Sequence, residues 1–284
     1  MRKGGVMTGI GTSMVAATCL AAVLLLCTAT LRAGQSVSPE EKSAGAGYEV
    51  LKRGVVERFG SAKPREWGET VTGVKTRLNS REKVIALTLD ACGSRSGMGF
   101  DAELLAFLER EKIPATLFIN ARWIGPNQES FSRLAANPLF EIANHGLGHK
   151  PASVTGKSVY GISGTKDPAE LVDEVELNAR KIEALTGRRP RFYRSGTAYY
   201  DEVAVQVAQA LGHQVAGFSI LGDAGATYTR EEVKKALLTS TPGSIIIAHM
   251  NHPQGGTAPG IMDAVPELRK LGFRFVRLSD LPLK

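Results

Sequence analysis

Seven short apolar runs recur along the chain, at 83–90, 115–119, 140–143, 191–194, 214–219, 244–248 and 273–276. The first, Val84-Ile85-Ala86-Leu87-Thr88-Leu89, is nearly continuous and rich in β-branched residues, the mark of a parallel strand buried on both faces. Between the runs the apolar residues return every three or four positions, as on one side of a helix. Asp101 is placed to cap a helix carrying Leu104, Leu105, Phe107 and Leu108 on one side, and Pro114 stops it. Further helical patterns cover about 127–136, 202–211 and 261–271. Asp167-Pro168 opens a long one that closes at Gly187, and Thr229-Arg230-Glu231-Glu232 is a capping box that opens another. The alternation predicts parallel strands joined by right-handed crossovers, a (β/α) fold whose site lies at the carboxyl ends of the strands. Asp90, His145, His149, Arg194 and His249 all fall just past such ends. The stretch 153–166 is longer than a simple connection and is a candidate substrate loop.

Composition narrows this picture. The 284 residues are 43% hydrophobic and 22% charged, enough apolar material for one large core. The formal charge of +7 falls to +4 once Arg2, Lys3 and Arg32 of the leader are set aside. No basic cluster is interleaved with aromatic residues, which argues against a nucleic-acid partner. Arg2-Lys3, the uncharged stretch through Leu24-Leu25-Leu26, and the small residues around Thr28-Ala29 make an export signal within 1–33. The apolar run approaches the length of a membrane span, so a retained anchor stays open beside a cleaved signal. The protein is therefore expected to be exported: periplasmic, extracellular or membrane-anchored. Residues 34–80 read as a linker, rich in Ser, Gly, Ala, Pro and Glu to about 46, followed by an irregular segment. Residues 81–284 form the expected folded domain. Cys19 and Cys27 belong to the leader, which leaves Cys92 without a partner for an internal disulfide.

The chemistry gathers around Asn144-His145-Gly146-Leu147-Gly148-His149. Two imidazoles four residues apart, with glycines between them, can converge on one divalent metal ion. They can equally be polar loop residues bonded to backbone. Asp90 ends a buried strand, and Arg194 fits either a site or a structural ion pair. Cys92 reads as a small buried residue rather than a nucleophile, although with His145 it could imitate a thiol hydrolase. His213, after Leu211-Gly212, reads as a surface residue. Tyr160, Tyr199 and Tyr200 could stack on sugar rings or line the core.

Thr88-Leu89-Asp90, the pair His145 and His149, Tyr193-Arg194-Ser195-Gly196, and the run from Gly243 to His249 occur in an order and spacing that resembles the polysaccharide deacetylase family. This is the NodB-homology domain of carbohydrate esterase family 4. The resemblance covers about Lys83 to the C-terminus. It implies a distorted (β/α)7 barrel, in agreement with the seven runs counted above. It also implies that His145 and His149 are metal ligands, for zinc or another divalent ion. Asp90 would then be the general base, Arg194 would orient it and keep it ionised, and His249 would be the general acid. Ser195, Tyr199 and Tyr200, in the counterpart of the third motif, are the substrate-binding candidates. One departure stands out: the family's second aspartate, a metal ligand, is Ala91 here. Asp90 itself, Asp101, His252 or water are the substitutes open at that point, and Asp223 is the candidate partner of His249. The implied function is removal of N-acetyl groups from an amino-sugar polymer or oligosaccharide of cell wall or extracellular matrix. Another amide or cyclic-amide hydrolase on the same scaffold, or a catalytically inactive carbohydrate-binding domain, are the alternatives.

Overall fold

The computed structural model describes residues 39–94 and 97–284. The expected export segment, with Cys19 and Cys27, lies outside the described residues. The chain divides into residues 1–42 and a compact unit of residues 43–284, and the latter carries everything below. No helix among the described residues is long and apolar enough to cross a membrane.

The elements are α1 (Pro39–Phe59), β1 (Val84–Ala91), α2 (Ala102–Arg110), β2 (Ala115–Ile119), α3 (Ala121–Ile124), α4 (Gln128–Ala136), β3 (Phe140–Asn144), α5 (Pro168–Thr186), β4 (Phe192–Tyr193), α6 (Glu202–Ala210), β5 (Gln214–Val215), β6 (Ile220–Leu221), α7 (Arg230–Leu238), β7 (Ile245–His249), α8 (Thr257–Lys270) and β8 (Arg274–Phe275). The helix starts follow local chemistry. Asp101, Asp167 and Asp201 each accept a backbone N–H with the side chain, and Thr229 with Glu232 completes the capping box.

All strands run parallel, in the order β5-β4-β3-β2-β1-β7-β6, with β8 beside β1. The run 214–219 is not one strand, as its sequence suggested. It forms β5, leaves the ladder, and re-enters as β6 at the opposite end of the strand order. Ala216 N–H donates to Tyr193 in β4, whereas Ser219 and Gly222 N–H donate to Ile245 and Ile247 in β7. One broken strand thus bridges both ends of the curled sheet, which is the distortion of this barrel. The side chain of Arg194 occupies the break, donating from Nε to Ala216 O (3.0 Å) and from Nη2 to Gly217 O (2.9 Å). Two backbone carbonyls freed from the ladder, those of Ala216 and Gly217, are thereby satisfied by the guanidinium.

β1 is buried along its whole length and divides its side chains by parity. Ile85, Leu87, Leu89 and Ala91 pack outward under the helices, with Leu104, Leu108, Trp123 and Leu268. Val84 and Ala86 point inward to Phe118, Ala143, Phe192 and Ile245. Farther along, the inner face turns polar with Thr88 and Asp90, so the apolar interior plug ends where the site begins. Truncating an outward residue such as Leu89 to Ala would cost about 2–5 kcal/mol, since it leaves a cavity in a closed layer.

The segment expected as linker and irregular chain is instead helical over Pro39–Phe59. Tyr48, Leu51, Val55 and Phe59 lie three to four residues apart and pack against Val71, Leu171, Val175 and Val207. Small and polar residues at its start hid this stripe. From 60 to 83 the chain has no named strand or helix, and is tied to the barrel by isolated pairings such as Gly68 with Tyr200 and Lys75 with Ala216.

Candidate active site

The inner face of β1 delivers Asp90, and its register partner on β7 is His249. Asp90 is 2% exposed, and its Oδ1 accepts from Arg194 Nη1 at 2.7 Å. Arg194 is fully buried; besides the two carbonyls it donates to Thr88 Oγ1 (2.8 Å), and its guanidinium stacks 4.1 Å from the centre of the Phe118 ring. A buried pair with all three guanidinium nitrogens engaged fixes the carboxylate in one orientation. The other oxygen, Oδ2, lies 3.6 Å from His145 Nε2.

His145 follows β3 and is held through its far nitrogen. Nδ1 lies 3.0 Å from the Arg194 carbonyl, which makes it the donor and leaves Nε2 free to accept or to ligate. His149 has a left-handed backbone (φ 60°), and its Nε2 is buried without a hydrogen-bond partner. The loop between them is clamped by buried polar side chains. Asn120 donates to the carbonyls of His145 (2.9 Å) and Gly146 (2.7 Å), and Asn144 Oδ1 accepts from Gly146 N–H. The Glu174 carboxylate, from α5, accepts from Gly148 N–H (2.7 Å) and Lys150 N–H (3.0 Å). Gly146 is required there: its φ is 77°, and a Cβ would sit 2.3 Å from Glu174 Oε1.

The third member of this cluster is Cys92. Its Sγ is 3.7 Å from His145 Nε2, and donor atoms of Cys92, His145 and His149 all lie within 4.8 Å of one another. Burial pushes the thiol pKa up, but His149 and His249 outweigh it and hold the thiol well below its ordinary value. The electropositive setting that the sequence did not reveal is therefore present.

The departure at Ala91 resolves through the same parity. Ala91 is fully buried in the outer core beneath the helices, and its methyl group packs with the apolar residues there rather than with the histidines. Cys92, one residue on, supplies the donor. Asp101 is spent capping α2, and neither it nor His252 belongs to the cluster. A thiol and two imidazoles, one with an orphaned nitrogen, are a donor set that fits a divalent ion of the zinc kind.

On the opposite flank His249 Nδ1 lies 2.9 Å from Asp223 Oδ1. Asp223 is fully buried, and its Oδ2 accepts from His249 N–H (2.7 Å) and Thr257 Oγ1 (2.9 Å). Burial opposes the charged imidazole, yet Asp223 overrides it and raises the His249 pKa well above its usual value. Asp223 is lowered in turn, against burial, by His249 and these hydrogen bonds.

Two of the three substrate-binding candidates do not reach the cleft. Tyr200 is fully buried among Val203, Val175 and Leu171, and its hydroxyl accepts from Ser195 N–H. Ser195 is also buried and donates to the Tyr199 carbonyl. Both shape the loop. Tyr199 is half-exposed, in ring contact with Trp67 and Tyr160. His213 is not a surface residue: it is 2% exposed beside Tyr193, and burial with nearby Arg189 lowers its pKa to about 4. Reasoning from sequence missed Cys92 as a donor and Glu174 as the clamp. Glu174 and Asn178, four apart on the buried side of α5, were the available signal: polar residues on an apolar stripe.

A curled parallel sheet with Asp–Arg and His–Asp pairs flanking a cluster of potential ligands defines a hydrolase-type site at the strand ends. Residues 77–216 match the polysaccharide deacetylase family, and the chain belongs to that family. It is 22% identical over 206 residues to the peptidoglycan-N-acetylglucosamine deacetylase of Bacillus cereus, covering 71% of this chain and 89% of that one. The fold is shared with a family 4 carbohydrate esterase pseudoenzyme from Bacillus anthracis (TM-score 0.61, 17% identity, 82% of this chain and 80% of that one). It is shared also with PdaA, a family 4 carbohydrate esterase of Bacillus subtilis (TM-score 0.59, 20% identity, 81% and 87%).

Proposed function

We propose that this protein is a metal-dependent hydrolase, acting outside the cytoplasm, that removes N-acetyl groups from amino sugars of a cell-wall polysaccharide. The observation that carries the reading is the placement of Asp90 and His249 as register partners on adjacent strands, each held by a charged partner, Arg194 and Asp223, beside Cys92, His145 and His149. The kinship with the Bacillus cereus enzyme supports peptidoglycan as the polymer.

A zinc-type ion held by Cys92, His145 and His149 would supply Lewis acidity toward the acetyl carbonyl and the attacking water. Asp90, fixed by Arg194, takes a proton from that water as its oxygen bonds to the carbonyl carbon. His249, held through Nδ1 by Asp223, presents Nε2–H to the amide nitrogen and protonates it as the C–N bond breaks. The products are acetate and a free amine. His145 is aimed by the Arg194 carbonyl, so a single residue orients both the base and a ligand.

One observation favours a second reading: a thiol of lowered pKa, 3.7 Å from an imidazole, is also the arrangement of a cysteine nucleophile. Acetate release from N-acetylglucosamine oligomers, with and without chelator, tests the first reading against the second. Loss of turnover on chelation and its return with zinc supports the metal. Turnover that persists under chelation and ends on thiol alkylation supports the nucleophile.

A further inference from the structure

Beyond the reacting centre, the loop 153–166 ends in a two-residue hairpin, Val159-Tyr160-Gly161-Ile162, closed by Val159 and Ile162 bonding each other in both directions. Both central residues have left-handed backbones, Tyr160 at φ 54° and Gly161 at φ 72°. Such a turn favours asparagine or glycine at its first central position, and a bulky aromatic residue there is strained. That residue is also 70% exposed. A strained, solvent-facing tyrosine contributes little to folding.

Its ring meets the edge of Tyr199 at 5.6 Å, nearly perpendicular, and Tyr199 meets Trp67 at 5.8 Å, tilted by 53°. Lys157 lies 5.7 Å from the Trp67 ring centre. Three separate segments bring these groups together, and backbone pairing locks two of them to the third. Gly68 pairs with Tyr200 on one side and Ala152 pairs with it on the other. Trp67 lies outside the stretch matched to the family. The platform is continuous with the site: Arg194 begins the loop that ends in Tyr199, and Gly196 packs so closely on His149 that a Cβ would fall 2.3 Å from its carbonyl carbon.

We infer that Trp67, Tyr160 and Tyr199 form a binding subsite for a hexopyranose ring of the polymer, next to the sugar whose N-acetyl group lies in the site. The inference rests on the deacetylase reading for the identity of the polymer. A pyranose offers an apolar C–H face and a rim of hydroxyls. Angled aromatic rings carrying two phenol groups, with an ammonium over one of the rings, match both parts.

The chain has two tryptophans, and Trp123 is fully buried, so Trp67 reports on this surface. The test is titration of the protein with N-acetylglucosamine hexamer and with the monosaccharide, followed by fluorescence and acetate release. Tyr160→Asn suits the turn and removes the ring, Tyr160→Phe keeps the ring, and Trp67→Phe provides the blank for fluorescence. The hexamer is expected to change Trp67 emission. Tyr160→Asn is expected to lower kcat/KM for the hexamer about tenfold relative to the monosaccharide, the scale of one lost aromatic contact, and Tyr160→Phe to restore most of it. An unchanged hexamer-to-monosaccharide ratio in Tyr160→Asn, with unchanged emission in wild type, overturns the subsite. If wild type releases no acetate from either sugar, the deacetylase reading fails separately. Emission then decides: a saturable response to hexamer that is weakened in Tyr160→Asn upholds the subsite, and no response overturns it.

Discussion

Replacing Cys92 tests how the ligand set is built. Its sulfur lies within 4.8 Å of donor atoms on His145 and His149, so removing it leaves two imidazoles to hold the ion. Four-ligand zinc sites bind with an apparent free energy of about 10–16 kcal/mol, so one ligand is worth roughly 3 kcal/mol, or about a hundredfold or more in affinity. Cys92→Ala should therefore weaken zinc binding by at least about a hundredfold. The fold should persist, because the residue is small and only one methylene-bound sulfur is lost from the cluster. Cys92→Asp should recover much of the affinity, since a carboxylate on the same inward-facing position again offers an anionic donor. The measurement is competition for zinc against a chromophoric chelator, with the cobalt-substituted protein as a second readout. Wild type should show a thiolate-to-cobalt charge-transfer band that both variants lack. Equal zinc affinity in Cys92→Ala, with the band absent from wild type, would refute the reasoning and return Cys92 to the role of thiol.

The remaining predictions concern charge. Asp223 holds the His249 pKa up, so Asp223→Asn should lower it and move the alkaline limb of the kcat–pH profile to lower pH, because His249 acts in its protonated form. An unmoved limb would separate His249 from the acid step. His213 has a folded-state pKa of about 4 against an ordinary 6.5, so the native state binds fewer protons than the unfolded one. Stability is therefore full above 6.5 and falls as the pH drops towards 4, by about 2.5 kcal/mol at about pH 4.5. Denaturant unfolding of wild type and His213→Leu at about pH 7.5 and 4.5 isolates this effect, because the buried carboxylates cancel in the comparison. The variant should lose less stability on acidification; an identical loss would place the imidazole in contact with solvent.

Much of the barrel was legible because a buried parallel strand needs a continuous apolar run, and 83–90, 115–119 and 140–143 supplied it. The caps at Asp101, Asp167 and Thr229 were legible for a similarly local reason: each satisfies amides within a few residues of itself. The break between β5 and β6 was not, since the partners of 214–222 are strands on both ends of the sheet and a guanidinium from Arg194. α1 escaped because its stripe of Tyr48, Leu51, Val55 and Phe59 is diluted by small and polar residues. At the site, His145, His149, Asp90 and His249 stood out by type and by their address past strand ends. The third donor was sought at Ala91 because the family motif was followed by position. Side-chain parity along β1 sends 90 and 92 inward and 91 outward, and only the folded strand made that visible. Tyr200 and His213 were misplaced for a common reason: polar tips conceal how far an aromatic or imidazole body can be buried.

The central claim is that this chain hydrolyses the N-acetyl amide of an amino-sugar polymer with the help of a bound divalent ion. The most direct measurement is acetate released from peptidoglycan by the purified protein, first stripped with chelator and then titrated with zinc. Negligible release is expected from the stripped protein, and release that rises with zinc and saturates near one equivalent. Asp90→Asn should bind the same equivalent and release almost nothing. Acetate release that is indifferent to chelation and to zinc, or none at any zinc concentration from a protein that binds its equivalent, would contradict it.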